Sequence, residues 1–297
     1  MNNELTFSFI GGDLRQLRVM ISLASDGYKV KALGFDAHDT IKNDKIYTAL
    51  SLEDVLENSD IIVLPLPYST GDESINSPLS SQKIYISDVL KKMKSEQILF
   101  VGKADERLEI LAKLYNVHVI DYMKREELAI LNAIPTAEGA ILTAMQETPF
   151  TIHNSRCLVI GNGRIGKVLA QSLKGLGANV SVVARKYSDI AWIKSCGNIG
   201  VPFKNLSSCI GESQIIFNTV PAMILDFKIL SKVSKDSIII DLASRPGGVD
   251  FETARELGKK VVWALSLPGK VAPDTAGDII KDTIINILEE LGQIEEV

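Results

Sequence analysis

Cysteine is scarce in this chain of 297 residues. Cys157, Cys196 and Cys209 are odd in number, and none are spaced C-x-x-C. Such a set excludes a disulfide framework and a zinc knuckle, and it fits a reducing compartment. Cys157 opens an apolar run and reads as a small buried hydrophobe. Histidine is equally sparse: His38, His118 and His153 are all there are. No cluster of His, Cys and Asp suggests a metal, so none is expected. Positive charge is not in excess either. The net charge of -5 excludes the broad basic face of a nucleic-acid binder. A small anionic substrate is still allowed, since it needs only a few local cations. No apolar run approaches the roughly 20 residues that span a bilayer. Met1-Asn2-Asn3-Glu4 lacks the basic start of a secretory signal. A cytoplasmic protein is expected, with neither membrane nor nucleic acid as partner.

What is present has the balance of an ordinary globular protein, with 46% hydrophobic and 23% charged residues. The length suggests about two domains. Short apolar runs alternate with amphipathic stretches throughout. In the first half, strands are expected at 5–10, 28–34, 60–66, 97–101 and 117–120, with a helix over 14–25. The stretch 125–146 reads as mostly helical, interrupted by Pro135, and as the connector between domains. In the second half, strands are expected at 157–160, 179–183, 214–218, 237–241 and 260–264, and 274–291 forms an amphipathic last helix. Strands alternating with helices imply parallel sheets. The expected fold is α/β: two Rossmann-like, doubly wound parallel-sheet domains with a cleft between them. Their bounds are 1–150, with hinge helices, and 151–273. The helix within 274–297 returns to the first domain.

The motif with most chemical content is Gly161-Asn162-Gly163-Arg164-Ile165-Gly166, set between an apolar strand and a helix, with a second strand beyond. In a dinucleotide site the first glycine permits a tight turn. The second lets backbone approach the pyrophosphate, and the third lets helix and strand pack closely. Helix N-terminal amides then face the phosphates. The bland alternative, a glycine-rich turn, is a poor match to the full βαβ context. The second strand ends in Ala184-Arg185-Lys186. An acid there would bind a ribose 2′-hydroxyl and repel a 2′-phosphate; a basic pair does the reverse. NADP is therefore favoured as cofactor, with NAD possible, although lysine and arginine are also common on plain surface loops.

Ligands in open α/β sheets lie beyond the carboxyl ends of strands. In the second half those loops hold Asn218-Thr219-Val220-Pro221, whose last three residues lie beside the cofactor, then Ala243-Ser244-Arg245-Pro246-Gly247-Gly248, then Leu267-Pro268-Gly269-Lys270. Arg245 can clamp a carboxylate in bidentate fashion, or be a surface residue on a plain turn. In the first half they hold Gly11-Gly12-Asp13 with Arg15, then Ser69 and Thr70, then Gly102-Lys103. Arg15, Ser69 and Thr70 can hold an anion. Asp13 can serve the site or simply cap a helix. Glu138, after Pro135, either favours a helix dipole or faces a ligand. Arg245, Ser244 and Glu138 are the catalytic candidates, and Asp13, Arg15, Ser69, Thr70, Gly247 and Gly248 the substrate-binding ones.

Seven stretches run nearly end to end: "IGGDLRQL" (10–17), "LPLPYSTGD" (64–72), "NAIPTAEGA" (132–140), "GNGRIGKVLA" (161–170), "FNTVPAMIL" (217–225), "IIDLASRPGGVDF" (239–251) and "LPGKVAPDTAG" (267–277). Several are too particular for a generic nucleotide fold. Together they resemble the dipicolinate synthase A-subunit family of spore-forming bacteria; 73–95 and 187–212 carry no such match. The resemblance implies an enzyme of the mother-cell cytoplasm in sporulation. It would form dipicolinate from a lysine-pathway intermediate, either a dihydro or a hydroxytetrahydro form. Its partner would be a flavoprotein-like B subunit. A homo-oligomer is also expected. The residues are compatible with that chemistry. Loss of hydride and proton from a dihydropyridine gains aromaticity, and needs positioning and cations for two carboxylates. Two rivals stand beside this reading. One is a 2-hydroxy-acid or amino-acid dehydrogenase of the same plan. The former typically uses a late histidine, and no histidine follows residue 153 here. The other is a non-catalytic dinucleotide-binding partner subunit.

Overall fold

The structure is a computed structural model, and it describes residues 5–36 and 44–294. His38 lies outside the described residues. The chain divides into two compact units, 1–131 with 272–297, and 132–271.

The first unit contains strands β1 (Thr6–Ile10), β2 (Lys29–Leu33), β3 (Ile46–Thr48), β4 (Ile61–Val63), β5 (Ile98–Val101) and β6 (His118–Asp121). Its main helices are α1 (Leu14–Ser25), α2 (Leu52–Leu56), α3 (Ile86–Lys92), α4 (Glu106–Leu114) and α5 (Glu126–Leu131). The strands pair in parallel in the order β3-β2-β1-β4-β5-β6. β1 is buried at every position, as expected of a parallel strand covered on both faces. Its side chain Ser8 donates to Val55 O at 2.7 Å. Aspartate and serine caps fix where helices begin: Asp13 for α1, Ser51 for α2 and Asp105 for α4.

The second unit contains β7 (Arg156–Ile160), β8 (Asn179–Ala184), β9 (Ile199–Pro202), β10 (Ile215–Asn218), β11 (Ile238–Asp241) and β12 (Lys260–Trp263). They too are parallel, in the order β12-β11-β10-β7-β8-β9. Its helices are α6 (Ala133–Glu147), α7 (Arg164–Gly175), α8 (Tyr187–Ser195), α9 (Leu206–Cys209), α10 (Phe227–Leu230), α11 (Phe251–Glu256) and α12 (Leu267–Val271). Each sheet therefore has Rossmann topology. Strand order reverses between β1 and β4 in one and between β7 and β10 in the other.

The last helix, α13 (Pro273–Glu290), belongs to the first unit. Proline opens it, where a missing N–H costs nothing. It buries Ile280, Ile284, Ile287 and Leu288 in the core shared with Val19, Met20 and Leu23 of α1. Each such side chain contributes about 1.5–3 kcal/mol relative to exposure. Gly277 lets the two backbones meet: a Cβ there would lie 2.7 Å from Arg15 O. Arg18 pairs with Asp278 at 2.8 Å beside that contact.

Four expectations need correction. The division falls at 131/132, ahead of the expected 150, because α6 buries Ala137, Ala140 and Ala144 in the core of the second unit. Gly139 presses against Leu267 there, with 2.9 Å left for a Cβ. The helical break is at Asn132, and Pro135 sits inside the first turn of α6, where its missing N–H would have no intrahelical acceptor. The run Glu126–Glu147 is long and apolar enough by composition to cross a membrane, although no run of that kind is expected from the sequence. Its small-residue face is core against α7. Finally, β3 and β9 are not among the expected strands: both are short edge strands, three and four residues long.

Candidate functional site

The carboxyl edge of the second sheet is built around the β7–β10 switch point. Gly161 follows β7 at φ +104°, a region that only glycine enters readily. A Cβ on it would collide with the Thr219 hydroxyl and come within 2.9 Å of Val220 Cγ2. Thr219 is held in turn, its hydroxyl donating to Ile160 O at 2.9 Å. Gly166 packs so closely that a Cβ would strike the Gly161 carbonyl. Gly163 faces open space within 4 Å. This is the pattern a pyrophosphate requires: two glycines fixed by packing and one left clear for a ligand. Gly163 occupies the N-cap position of α7 with no side-chain cap bond, and no acid lies in the first turn. Asn162 and Ile165 are half-buried and Arg164 is exposed. At the end of β8, Ala184 is buried, and Arg185 and Lys186 are exposed before α8.

The adjoining loops are held by a buried polar pair. Asn218 and Asp241 end β10 and β11 in register and are both 0% exposed. Asn218 Nδ2 donates to Asp241 Oδ1 at 2.8 Å and to Val220 O at 3.1 Å. The Asp241 carboxylate accepts from Ala243 N at 3.1 Å and Gly248 N at 2.9 Å. Three donors thus satisfy a carboxylate with no solvent. The pair fixes both Thr219-Val220-Pro221 and the Ser244–Gly248 turn. Gly247 at φ +88° lies against Asp241 Oδ2, and Gly248 against Asn218, so neither has room for a side chain. Ser244 and Arg245 are exposed at the apex. The Arg245 guanidinium stands 5.8 Å over the Trp263 ring, whose indole N–H donates to Ala243 O at 2.9 Å. Sequence reasoning selects Asn218 only as the start of a strand-end loop, and it misses Asp241 and Trp263. The available signal is a polar residue closing each apolar run, "IIFN" and "IIID".

The first unit has the same topology but a different turn. Asp13 caps α1 by accepting from Arg15 N at 2.9 Å, and its carboxylate pairs with the Arg15 guanidinium at 2.7 Å. Arg15 is 8% exposed and also donates to Leu66 O. Segment 75–77 covers the turn, leaving 2.9 Å between a Gly11 Cβ and Ile75. A pyrophosphate here would meet a carboxylate and a filled space, unlike at the Gly161–Gly166 turn of the second unit. Ser69 donates to Asp72 O at 2.7 Å, and Thr70 is exposed nearby. Burial and Asp105 push the Tyr68 phenol well above its ordinary value. Glu138 is exposed in the second turn of α6, in the second unit rather than in a hinge.

The second unit thus defines an NAD(P)-binding dehydrogenase domain, and comparison with known proteins supports this. Residues 134–253 match the NAD-binding domain of D-isomer specific 2-hydroxyacid dehydrogenases, and residues 6–123 match the N-terminal domain of the dipicolinate synthase A-subunit. The dipicolinate synthase A-subunit of Bacillus subtilis (strain 168) is 35% identical over 297 residues, covering 100% of this chain and 99% of that protein. The crystal structure of the A-subunit from Bacillus halodurans has 31% identity and a TM-score of 0.90, covering 97% of this chain and 99% of that one. The B. subtilis crystal structure has 34% identity and a TM-score of 0.89, covering 99% and 98%. The chain belongs to the dipicolinate synthase A-subunit family. Its relatives are subunits, which implies a partner subunit.

Proposed function

We propose that the chain is an NADP-dependent dehydrogenase that oxidises a dihydropyridine dicarboxylate to the aromatic pyridine dicarboxylate. The observation that carries the cofactor choice is the end of β8, where buried Ala184 precedes exposed Arg185 and Lys186. The relatives' name, dipicolinate synthase, supplies the substrate class. In this reading the α7 amides and Gly163 hold the pyrophosphate, and Arg185 and Lys186 hold the 2′-phosphate. When bound, the nicotinamide accepts the hydride. Thr219, Val220 and Pro221 line its position. Ser244 and Arg245, on the turn fixed by Asp241, bind and orient a substrate carboxylate, with Gly247 and Gly248 letting that turn pack closely on Asp241 and Asn218. Asp13 is occupied by Arg15 and the α1 cap and does not serve as the base. Glu138 is exposed, and we assign the ring proton to it. Ser69 and Thr70 remain candidate contacts of the first unit. The setting is the cytoplasm of a sporulating mother cell, the protein is a homo-oligomer, and its partner is the flavoprotein-like B subunit.

The test is direct. Purified chain is mixed with NADP and freshly made dihydropyridine dicarboxylate, and NADPH absorbance and dipicolinate are followed together. Stoichiometric appearance of both supports the assignment. No turnover, even when the B subunit is present, sinks it, and turnover of simple 2-keto acids instead establishes the rival dehydrogenase.

A further inference from the structure

Among the described residues, five other than glycine have positive φ: Asn58, Lys103, Asn116, Asn154 and Ser266. Asparagine enters this region readily, whereas a long side chain does so at a cost. Lys103, at φ +68°, sits just beyond the carboxyl end of β5 and is held there firmly. The Asp121 carboxylate accepts from Lys103 N at 3.0 Å and from Ala104 N at 2.9 Å. Gly102 donates to Pro65 O at 3.2 Å, and its own carbonyl accepts from Tyr68 N at 2.9 Å. A Cβ on Gly102 would come within 2.7 Å of Leu66 Cα. The loops after β4 and β5 are thus locked together, and the strain at Lys103 is maintained by its surroundings, a feature that concentrates at ligand sites.

The charge pattern points the same way. In the segments that follow β1, β4, β5 and β6, helices included, Arg15 pairs with Asp13, Lys83 with Asp72, Arg107 with Glu73 and Lys124 with Glu109. Among the described residues there, Lys103 is exposed and its ammonium has no carboxylate partner. Arg15, the cation that sequence reasoning selects, is nearly buried and already paired. We infer that Lys103 is the cation with which the first unit binds a carboxylate of the substrate. This rests on the dicarboxylate reading above.

Three variants separate charge from backbone: Lys103→Gly, Lys103→Gln and Lys103→Arg. Lys103→Gly removes the strain, so its melting temperature rises by about 2–4 °C. Its KM for the dihydropyridine dicarboxylate nevertheless rises about tenfold, the loss expected for a charge-assisted contact. Lys103→Gln shows the same rise in KM, Lys103→Arg recovers most of the affinity, and NADPH binding is unchanged in all three. Calorimetric binding of pyridine-2,6-dicarboxylate reads the contact without turnover. Wild-type turnover with KM unaltered in Lys103→Gly and Lys103→Gln overturns the Lys103 assignment alone. Dicarboxylate binding without turnover, lost in both variants, keeps Lys103 and overturns the reaction. Wild-type protein that neither binds nor oxidises the dicarboxylate overturns both.

Discussion

Replacing Gly161 by alanine tests the dinucleotide turn most sharply, because the structure separates two costs. The first is conformational. Gly161 is at φ +104°, where a side chain costs about 1–3 kcal/mol. The second is steric. The added methyl would meet the Thr219 hydroxyl and stand 2.9 Å from Val220 Cγ2, an overpacking of about 1–3 kcal/mol. The expected total is roughly 4 kcal/mol, a fall in melting temperature of about 8–16 °C. NADPH binding, followed by fluorescence, is expected to disappear at micromolar concentrations. Thr219→Ala removes the hydroxyl that obstructs the methyl; Thr219 Cβ itself would be 3.8 Å away. In a double-mutant cycle, Thr219→Ala should therefore recover the steric part and leave the conformational part. That is a coupling of about 1–3 kcal/mol. Gly161→Ala protein with wild-type stability and NADPH affinity would falsify the argument. A cycle with no coupling would remove Thr219 from it.

Three further outcomes are expected. Arg185→Ala should weaken NADPH binding by about 1.5–3 kcal/mol while leaving NADH binding intact; equal losses, read by parallel titrations, remove the 2′-phosphate assignment. Arg245→Ala should raise KM for the dicarboxylate with kcat little changed, since the guanidinium is exposed beside Trp263 and outside the core; unchanged rates at low substrate make it a surface residue. Burial raises the pKa of the Cys157 and Cys209 thiols and keeps them protonated at neutral pH, whereas Cys196 is exposed. Thiol titration of native protein should therefore show Cys196 reacting first and Cys157 only on unfolding, and rapid modification of Cys157 contradicts its burial.

Much of the fold is legible because parallel strands covered on both faces are written as continuous apolar runs. β4, β7, β10 and β11 all read this way, and the period of 274–291 marks a helix needing an apolar partner. The edge strands β3 and β9 are not legible. Ile46-Tyr47-Thr48 is too short to show a period, and β9 contains Gly200 and Pro202. The break near Pro135 is visible, but the side on which α6 falls is not. That depends on Ala137, Ala140 and Ala144 fitting against α7, and small residues announce close packing without naming the neighbour.

The same division runs through the candidate site. The sequence by itself determined the glycine-rich turn, its place between strand and helix, and the basic pair closing the second strand. These are local features: the backbone conformation of a turn and the residue at a strand end are set within about 30 residues of one βαβ unit. Tertiary structure alone decided which polar groups are committed. Asn218 and Asp241 are 23 residues apart in sequence and meet only because β10 and β11 pair in register. Arg15 looks available until folding buries it against Asp13 and Leu66. Lys103 looks ordinary until Asp121, 18 residues on, holds its backbone in a left-handed turn. Whether a charge is paired, buried or presented depends on what long-range contacts bring beside it, and pairwise proximity across a sheet is not encoded at any one position of the chain.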